Sequence, residues 1–322
     1  MPRVWIRLLV SLLLTVGLCF FLLRQVDIAA LGQWLRQVNR PLAAGYVALA
    51  IAGLLARAFR YRMLLGDRVA FGPLVLVTAA RNFLVDLLPA RVGSLSYIYL
   101  LTSRFGVELE PVLSSFLVTF VYDLLAMALL VAVALALEFG RFESWGTVAV
   151  LLGIFASVAV AVFTLLSPGL RLGARWLDRS PRTARFARRL EEVAREVERS
   201  GGVRQILQLL LVSFAIRGFK FAAYWSLLLG VVYERGITAS DLPFWQVFLG
   251  IAGAELSATL PIHGIAGFGT YEAAWALGFT HLGLDRETAI LSGFATHLLS
   301  QAFDYSTGLL ALLLVLALRR KP

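Results

Sequence analysis

The stretch LPIHGIAGFGTYEAAW, residues 260–275, lies between long apolar runs yet carries a proline, three glycines, a histidine and a glutamate. Proline and glycine break a helix, and a carboxylate is costly in an apolar setting. What purpose an interruption of this kind serves decides how the rest of the chain is read.

The surrounding composition supplies the context. Of 322 residues, 59% are hydrophobic and 16% charged, against roughly 45–50% apolar in soluble domains. The apolar runs fall near 5–23, 42–65, 73–101, 111–138, 146–167, 203–232, 243–280 and 287–318. Runs of that length predict an all-α, polytopic membrane protein. They are continuous rather than alternating, which disfavours a β-barrel. Residues 1–23 have a basic start and an apolar core like a signal peptide, but "LLRQVD" offers no small-residue cleavage site, so a retained first helix is expected. The amphipathic "VDIAALGQWLRQVN" that follows is expected at the membrane interface.

A net charge of +10 could suggest nucleic acid, but its placement argues against that partner. Ten arginines lie between Arg171 and Arg204, and the chain closes on "RRKP". That distribution is positive-inside topology beside an anionic leaflet. It predicts a cytoplasmic linker over 168–204, cytoplasmic termini and anionic lipids at the cytoplasmic face. Cys19 is the lone cysteine, and neither CxxC nor HExxH occurs, so no metal or cofactor is expected.

Crossing parity then fixes the rest. If 203–232 runs outward and 287–318 inward, 243–280 enters and leaves on the outer side, with the opening stretch at its tip. By the same count 73–101 enters from the cytoplasm, with its tip at "LLPARVGSLS", 87–96. The expectation is one transmembrane domain over 1–322, with about six crossing helices and two opposed re-entrant hairpins. The halves, about 42–138 and 203–318, form a weak inverted repeat. Arg57 and Arg60 precede Pro73 and Pro89 as Arg217 and Lys220 precede Pro243 and Pro261. "GVE" at 106 and "GLD" at 283 each lead into a helix bearing an acid, Asp123 or Asp304. Inverted halves with broken helices are a transporter pattern, and irregular backbone at membrane depth is tolerated where it lines a polar cavity.

Several residues could carry the chemistry. Glycines 264, 267 and 269 either pack helices closely or offer amides to a ligand; Gly267 and Gly269, with Glu272 beside them, are taken as binding residues. Arg57/Arg60 and Arg217/Lys220 are i,i+3 pairs, each on one helix face. A mid-span cation faces a cavity or a partner, while Arg62 is expected to snorkel. Arg81 and Arg91 flank the first tip, and Arg81 can instead neutralise Asp86. His297, Gln301 and Asp304 form a polar stripe at i, i+4, i+7, as do Ser115, Thr119 and Asp123, and Asp123, His297, Gln301 and Asp304 are taken as a coupling path. His263 and His281 are expected to be structural.

"ARAFRYRMLL" (56–65), "RNFLVDLLPARVG" (81–93), "LPIHGIAGFGTYEAAWAL" (260–277) and "LGLDRETA" (282–289) resemble, in order and spacing, the lysylphosphatidylglycerol synthase transmembrane family of flippase-like membrane proteins. The resemblance implies a lipid flippase domain of a bacterial inner membrane. In bifunctional members it moves aminoacylated phosphatidylglycerol, and other members are associated with polyisoprenyl-phosphate-linked sugars or other lipids. The first tip of the family commonly carries an acid where this chain has Ser94. The soluble aminoacyl-transferase domain has no counterpart, so any synthesis is expected from a separate enzyme; a homodimer is left open.

The expected function is therefore a non-enzymatic flippase for an anionic, aminoacylated or polyisoprenyl-phosphate-linked lipid. Arginines and glycine amides would bind phosphate, and Glu272 and Asp304 a cation or a coupling proton. The alternatives are a membrane-embedded lipid-modifying enzyme, for which no DxxD or HxxxD pair on a polar loop speaks, and a transporter of small soluble anions.

Overall fold

The long apolar runs satisfy their backbone polar groups within themselves, as helices do. The computed structural model describes residues 28–138, 145–179, 183–199, 203–257 and 269–318. Among these there is no strand. The α-helices are α1 (Ile28–Arg36), α2 (Arg40–Leu65), α3 (Phe71–Leu87), α4 (Ser96–Phe105), α5 (Leu109–Glu138), α6 (Trp145–Leu177), α7 (Ala184–Arg199), α8 (Val203–Val232), α9 (Phe244–Ser257), α10 (Thr270–His281) and α11 (Arg286–Ala317).

Four helical segments among the described residues are long and apolar enough to cross a membrane: Arg40–Arg68, Leu109–Leu137, Arg204–Arg235 and Arg286–Ala317. They match four of the six expected crossings. The expected first helix, 5–23, lies outside the described residues, and 146–167 falls within α6. The chain is thus an all-α, multi-pass membrane protein.

The other apolar runs are divided. Helices α3, α4, α9 and α10 have 17, 10, 14 and 12 residues, short of the roughly 20 a crossing needs. The first break is a 3₁₀ segment, Pro89–Leu95. Pro89 starts it where proline's missing N–H is harmless, and a Cβ on Gly93 would meet Leu84 O at 1.8 Å. The second break, 258–268, lies outside the described residues. Helices α9 and α10 pack together, with Gly250 under the ring of Phe279.

By contacts the chain divides into two compact units, and α2, α3, α8 and the end of α11 contribute to both. The first comprises 1–52, 79–96 and 219–313. Its core joins Tyr46 of α2, Ala223 and Leu227 of α8, and Leu299 and Phe303 of α11. Small residues allow close approach here: Ser226 donates to Leu42 O at 2.8 Å, and Gly308 lies against Phe83 and Ala79 O.

The second unit comprises 53–78, 97–218 and 314–322. Val118 and Tyr122 of α5 pack with Leu209 of α8, Met63 and Leu64 of α2, and Val197 of α7. Helix α7, from the arginine-rich linker, is amphipathic: Ala187, Val193 and Ala194 are buried while Glu198 accepts from Arg171 and Ser167 at 2.5 Å each. It packs on α5 and α6, so the polar linker folds back on the helix that leads into it.

Candidate functional site

Among the described residues, each unit holds a buried polar centre. In the second unit Arg60, on α2, is fully buried. Its Nη1 donates to Asp123 Oδ1 of α5 at 2.8 Å and to Ser213 Oγ of α8 at 2.7 Å. Arg217, one helical turn beyond Ser213, reaches the Asp123 carbonyl at 3.4 Å. Arg57, a turn before Arg60, also lies within electrostatic reach of Asp123. Three guanidinium groups thus converge on one carboxylate. Arg60 Nε and Nη2 and Arg217 Nε are buried without a hydrogen-bond partner among the described residues. The expected pairs on α2 and α8 therefore meet in part: Arg57, Arg60 and Arg217 gather at Asp123, whereas Lys220 belongs to the first unit. Of the polar stripe on α5, Ser115 bonds Tyr97 Oη at 2.8 Å and Thr119 bonds Phe116 O. Arg62 turns to Asp67 and to Val69 O at the helix end, as snorkelling predicts.

In the first unit the opening stretch resolves into a helix start. Gly269 takes φ 91°, a left-handed conformation open to glycine. That turn aims its N–H at Glu272 Oε2, 2.7 Å away. Glu272 is the third residue of α10, so its carboxylate caps its own helix. Its other oxygen, Oε1, lies 2.5 Å from His297 Nδ1 on α11, and the Glu272 side chain is fully buried. His297 Nε2 is 3.0 Å from Gln301 Nε2. Tyr271 stacks at a tilt on His297 with centroids 4.6 Å apart. Trp275 Nε1 donates to Ser292 at 3.2 Å, holding α10 to α11.

The remaining predicted residues are dispersed within this unit. Lys220 pairs with Glu255 of α9 at 2.6 Å. Asp304 lies within electrostatic reach of Tyr46, Tyr224 and Tyr305. Arg81 reaches Asn82 at 3.5 Å. Arg91 lies on the 3₁₀ segment, with its side chain outside the described residues, and Gly267 lies outside them altogether. Sequence reading passes over Glu255 and Ser213. Glu255 was open to discovery as an acid in an apolar run, the signal that singled out Glu272. Ser213 carries no such signal, since a serine is common between membrane helices.

The family described as "Lysylphosphatidylglycerol synthase TM region" matches residues 4–319, nearly the whole chain, and the chain belongs to that family. Among curated proteins, none matches it.

Proposed function

From this membership and the arginine cluster, we propose that the protein is a flippase moving a lipid with an anionic phosphate headgroup across a bacterial inner membrane. The observation that carries the reading is the centre of the second unit: Arg60 and Arg217 meet at one aspartate, with Arg60 Nε and Nη2 and Arg217 Nε buried and without a hydrogen-bond partner among the described residues. An arginine at the centre of a membrane helix costs roughly 2.5–3.5 kcal/mol on insertion scales, so a surplus of them implies an anion to receive. The planar guanidinium fork suits a phosphate, and charge-assisted bonds of this kind are the strong ones. Leu55, Phe59, Phe120 and Leu124, on α2 and α5, expose their apolar side chains. That surface suits acyl chains and favours a lipid over a small soluble anion.

Transport, rather than chemistry on the lipid, fits the groups present. Ser213, the hydroxyl that touches Arg60, commits its own proton to Leu209 O at 2.7 Å, which leaves it poorly placed as a nucleophile. Under this reading α3–α4 and α9–α10 are re-entrant hairpins entering from opposite faces, with the arginine-rich linker and both termini in the cytoplasm. The shortness of those four helices and the crossing parity support it. Single cysteines at Glu108 and Ala239, in a Cys19→Ala background, should then react from opposite sides of the membrane. Labelling from one side sinks the hairpin arrangement.

Translocation is tested in liposomes containing phosphatidylglycerol with a fluorescent acyl chain, by chemical quenching of the outer leaflet. Arg60→Lys keeps the ion pair with Asp123 but loses the fork. It should slow translocation by about tenfold or more, as losing a charge-assisted bond of roughly 1.5–3 kcal/mol implies. A wild-type protein that moves no lipid, or an Arg60→Lys variant that moves it at full rate, overturns the assignment.

A further inference from the structure

We infer that the Glu272–His297–Gln301 chain in the first unit is a proton-binding site, and that the proton it takes up on His297 is coupled to lipid movement. The coupling, though not the site, rests on the transport reading above.

The first step is that Glu272 is not available to a headgroup. One oxygen holds the Gly269 amide and the other holds His297, and the side chain has no exposed surface. Lys220, the lysine of this unit, is already engaged by Glu255. The positive charge that can reach Glu272 is therefore a proton, carried by the imidazole beside it.

The second step follows from hydrogen-bond inventory. In the arrangement present, the Gln301 amide nitrogen faces His297 Nε2. An NH₂ group donates, so Nε2 bears no hydrogen, and the ring proton sits on Nδ1 and donates to the carboxylate. Gln301 Oε1 is buried without a partner among the described residues. When a second proton binds Nε2, half a turn of the amide brings Oε1 round to accept from the new N–H. Imidazole and imidazolium are thus both hydrogen-bonded on both nitrogens, at the cost of one amide rotation. Orientation of such an amide follows the network around it, and here the network follows the proton.

Groups from several elements lie around the Tyr271 ring that covers the site. Tyr271 of α10 covers the ring, and its Oη has no partner among the described residues. Tyr224 of α8, Glu255 of α9 and Tyr46 of α2 lie within electrostatic reach of Tyr271. Asp304 of α11 and Asp86 of α3 lie within reach of Tyr224. These are acids and phenols, and Lys220, the lysine of the unit, is paired with Glu255. The step is a simple gain: the Nε2 lone pair takes the proton, and no bond to lipid forms or breaks.

The test uses the full chain with His263→Gln and His281→Gln, which leaves His297 as the one imidazole of three. Ring ¹⁵N signals are followed against pH in lipid nanodiscs. A single titration is expected, with the Nδ1–H tautomer as the neutral form. Gln301→Leu, which removes a neutral hydrogen bond from the imidazole and a charge-assisted one from the imidazolium, should displace its midpoint by about one pH unit, the difference between the two bonds. A ring that keeps one state between about pH 4 and pH 9, an Nε2–H neutral form, or a midpoint indifferent to Gln301→Leu overturns the site. In liposomes, wild-type translocation of fluorescent phosphatidylglycerol should change rate with an imposed pH gradient, and a rate indifferent to the gradient overturns the coupling. If the wild type moves no lipid, the transport reading falls and the titration still decides the site.

Discussion

The arginine cluster and the carboxylate–imidazole chain are both buried charge centres in apolar helices, and they are completed in opposite ways. Around Asp123 the donors outnumber the acceptors, and Arg60 keeps two buried nitrogens without partners among the described residues. Around Glu272 both oxygens are engaged by the protein itself, one by a backbone amide and one by a histidine. A buried donor without an acceptor costs about 1–3 kcal/mol, which is why the proposed function places the headgroup at the first centre. On the readings proposed above, the two centres separate tasks that one residue cluster could have shared: holding an anion and taking up a proton.

The largest effect should come from removing the anion of the first centre. Asp123→Ala strands Arg60, and breaking a buried ion pair costs roughly 3–5 kcal/mol. Thermal unfolding in detergent should show a large fall in Tm, and the double variant Arg60→Leu/Asp123→Leu should recover much of it while translocation stays lost. If the double variant translocates at the wild-type rate, the cluster is structural and the contrast with Glu272 disappears. If Asp123→Ala costs no more than a surface pair, about 1 kcal/mol or less, the centre is not buried in the way described.

A middling effect should arise where helix packing holds the second centre closed. A Cβ on Gly293 would lie 2.8 Å from Trp275 Cδ1, and Trp275 is fully buried. Overpacking of this sort costs about 1–3 kcal/mol. Gly293→Ala should lower Tm and loosen the contact of α10 with α11, disturbing the His297 ring signals. Gly253, on α9, has no atom within 4 Å of its added Cβ, so Gly253→Ala should leave Tm unchanged or slightly raised. Equal responses from the two glycines would show that the second centre does not depend on that close approach.

Much of this was legible in the chain, for physical reasons that differ by residue. Crossing helices announce themselves through length and hydropathy, since lipid leaves the backbone no other partner. Glu272 was legible because an acid beside glycine in an apolar run needs a reason. The two turns read as equivalent from "GVE" and "GLD" do share a feature, with Gly106 at φ 65° and Gly283 at φ 99°. Partners were not legible. That Lys220 meets Glu255 while Arg217 meets Asp123, three residues apart on one helix, depends on which neighbour each helix face packs against. Along the polar stripe of α11, His297 bonds both Gln301 and Glu272, while Asp304 lies within electrostatic reach of tyrosines. Spacing gives a face; what covers that face comes from the fold.

The smallest expected effect lies outside both centres. Asp285 precedes α11, and its Oδ1 accepts the Thr288 amide at 3.0 Å. Hydrogen bonds from the Thr288 side chain and backbone hold its carboxyl below the usual carboxylate range. A group whose value is depressed by folding adds stability above its unfolded value, about 3.9 for aspartate, and loses it as pH falls through the folded value. Asp285→Asn keeps a good cap and removes only the charge at the helix start, worth roughly 0.3–1 kcal/mol at an exposed terminus. The Tm of wild type should therefore exceed that of Asp285→Asn slightly at neutral pH, and the gap should close in acid. A gap that persists unchanged in acid shows that the charge is not its source.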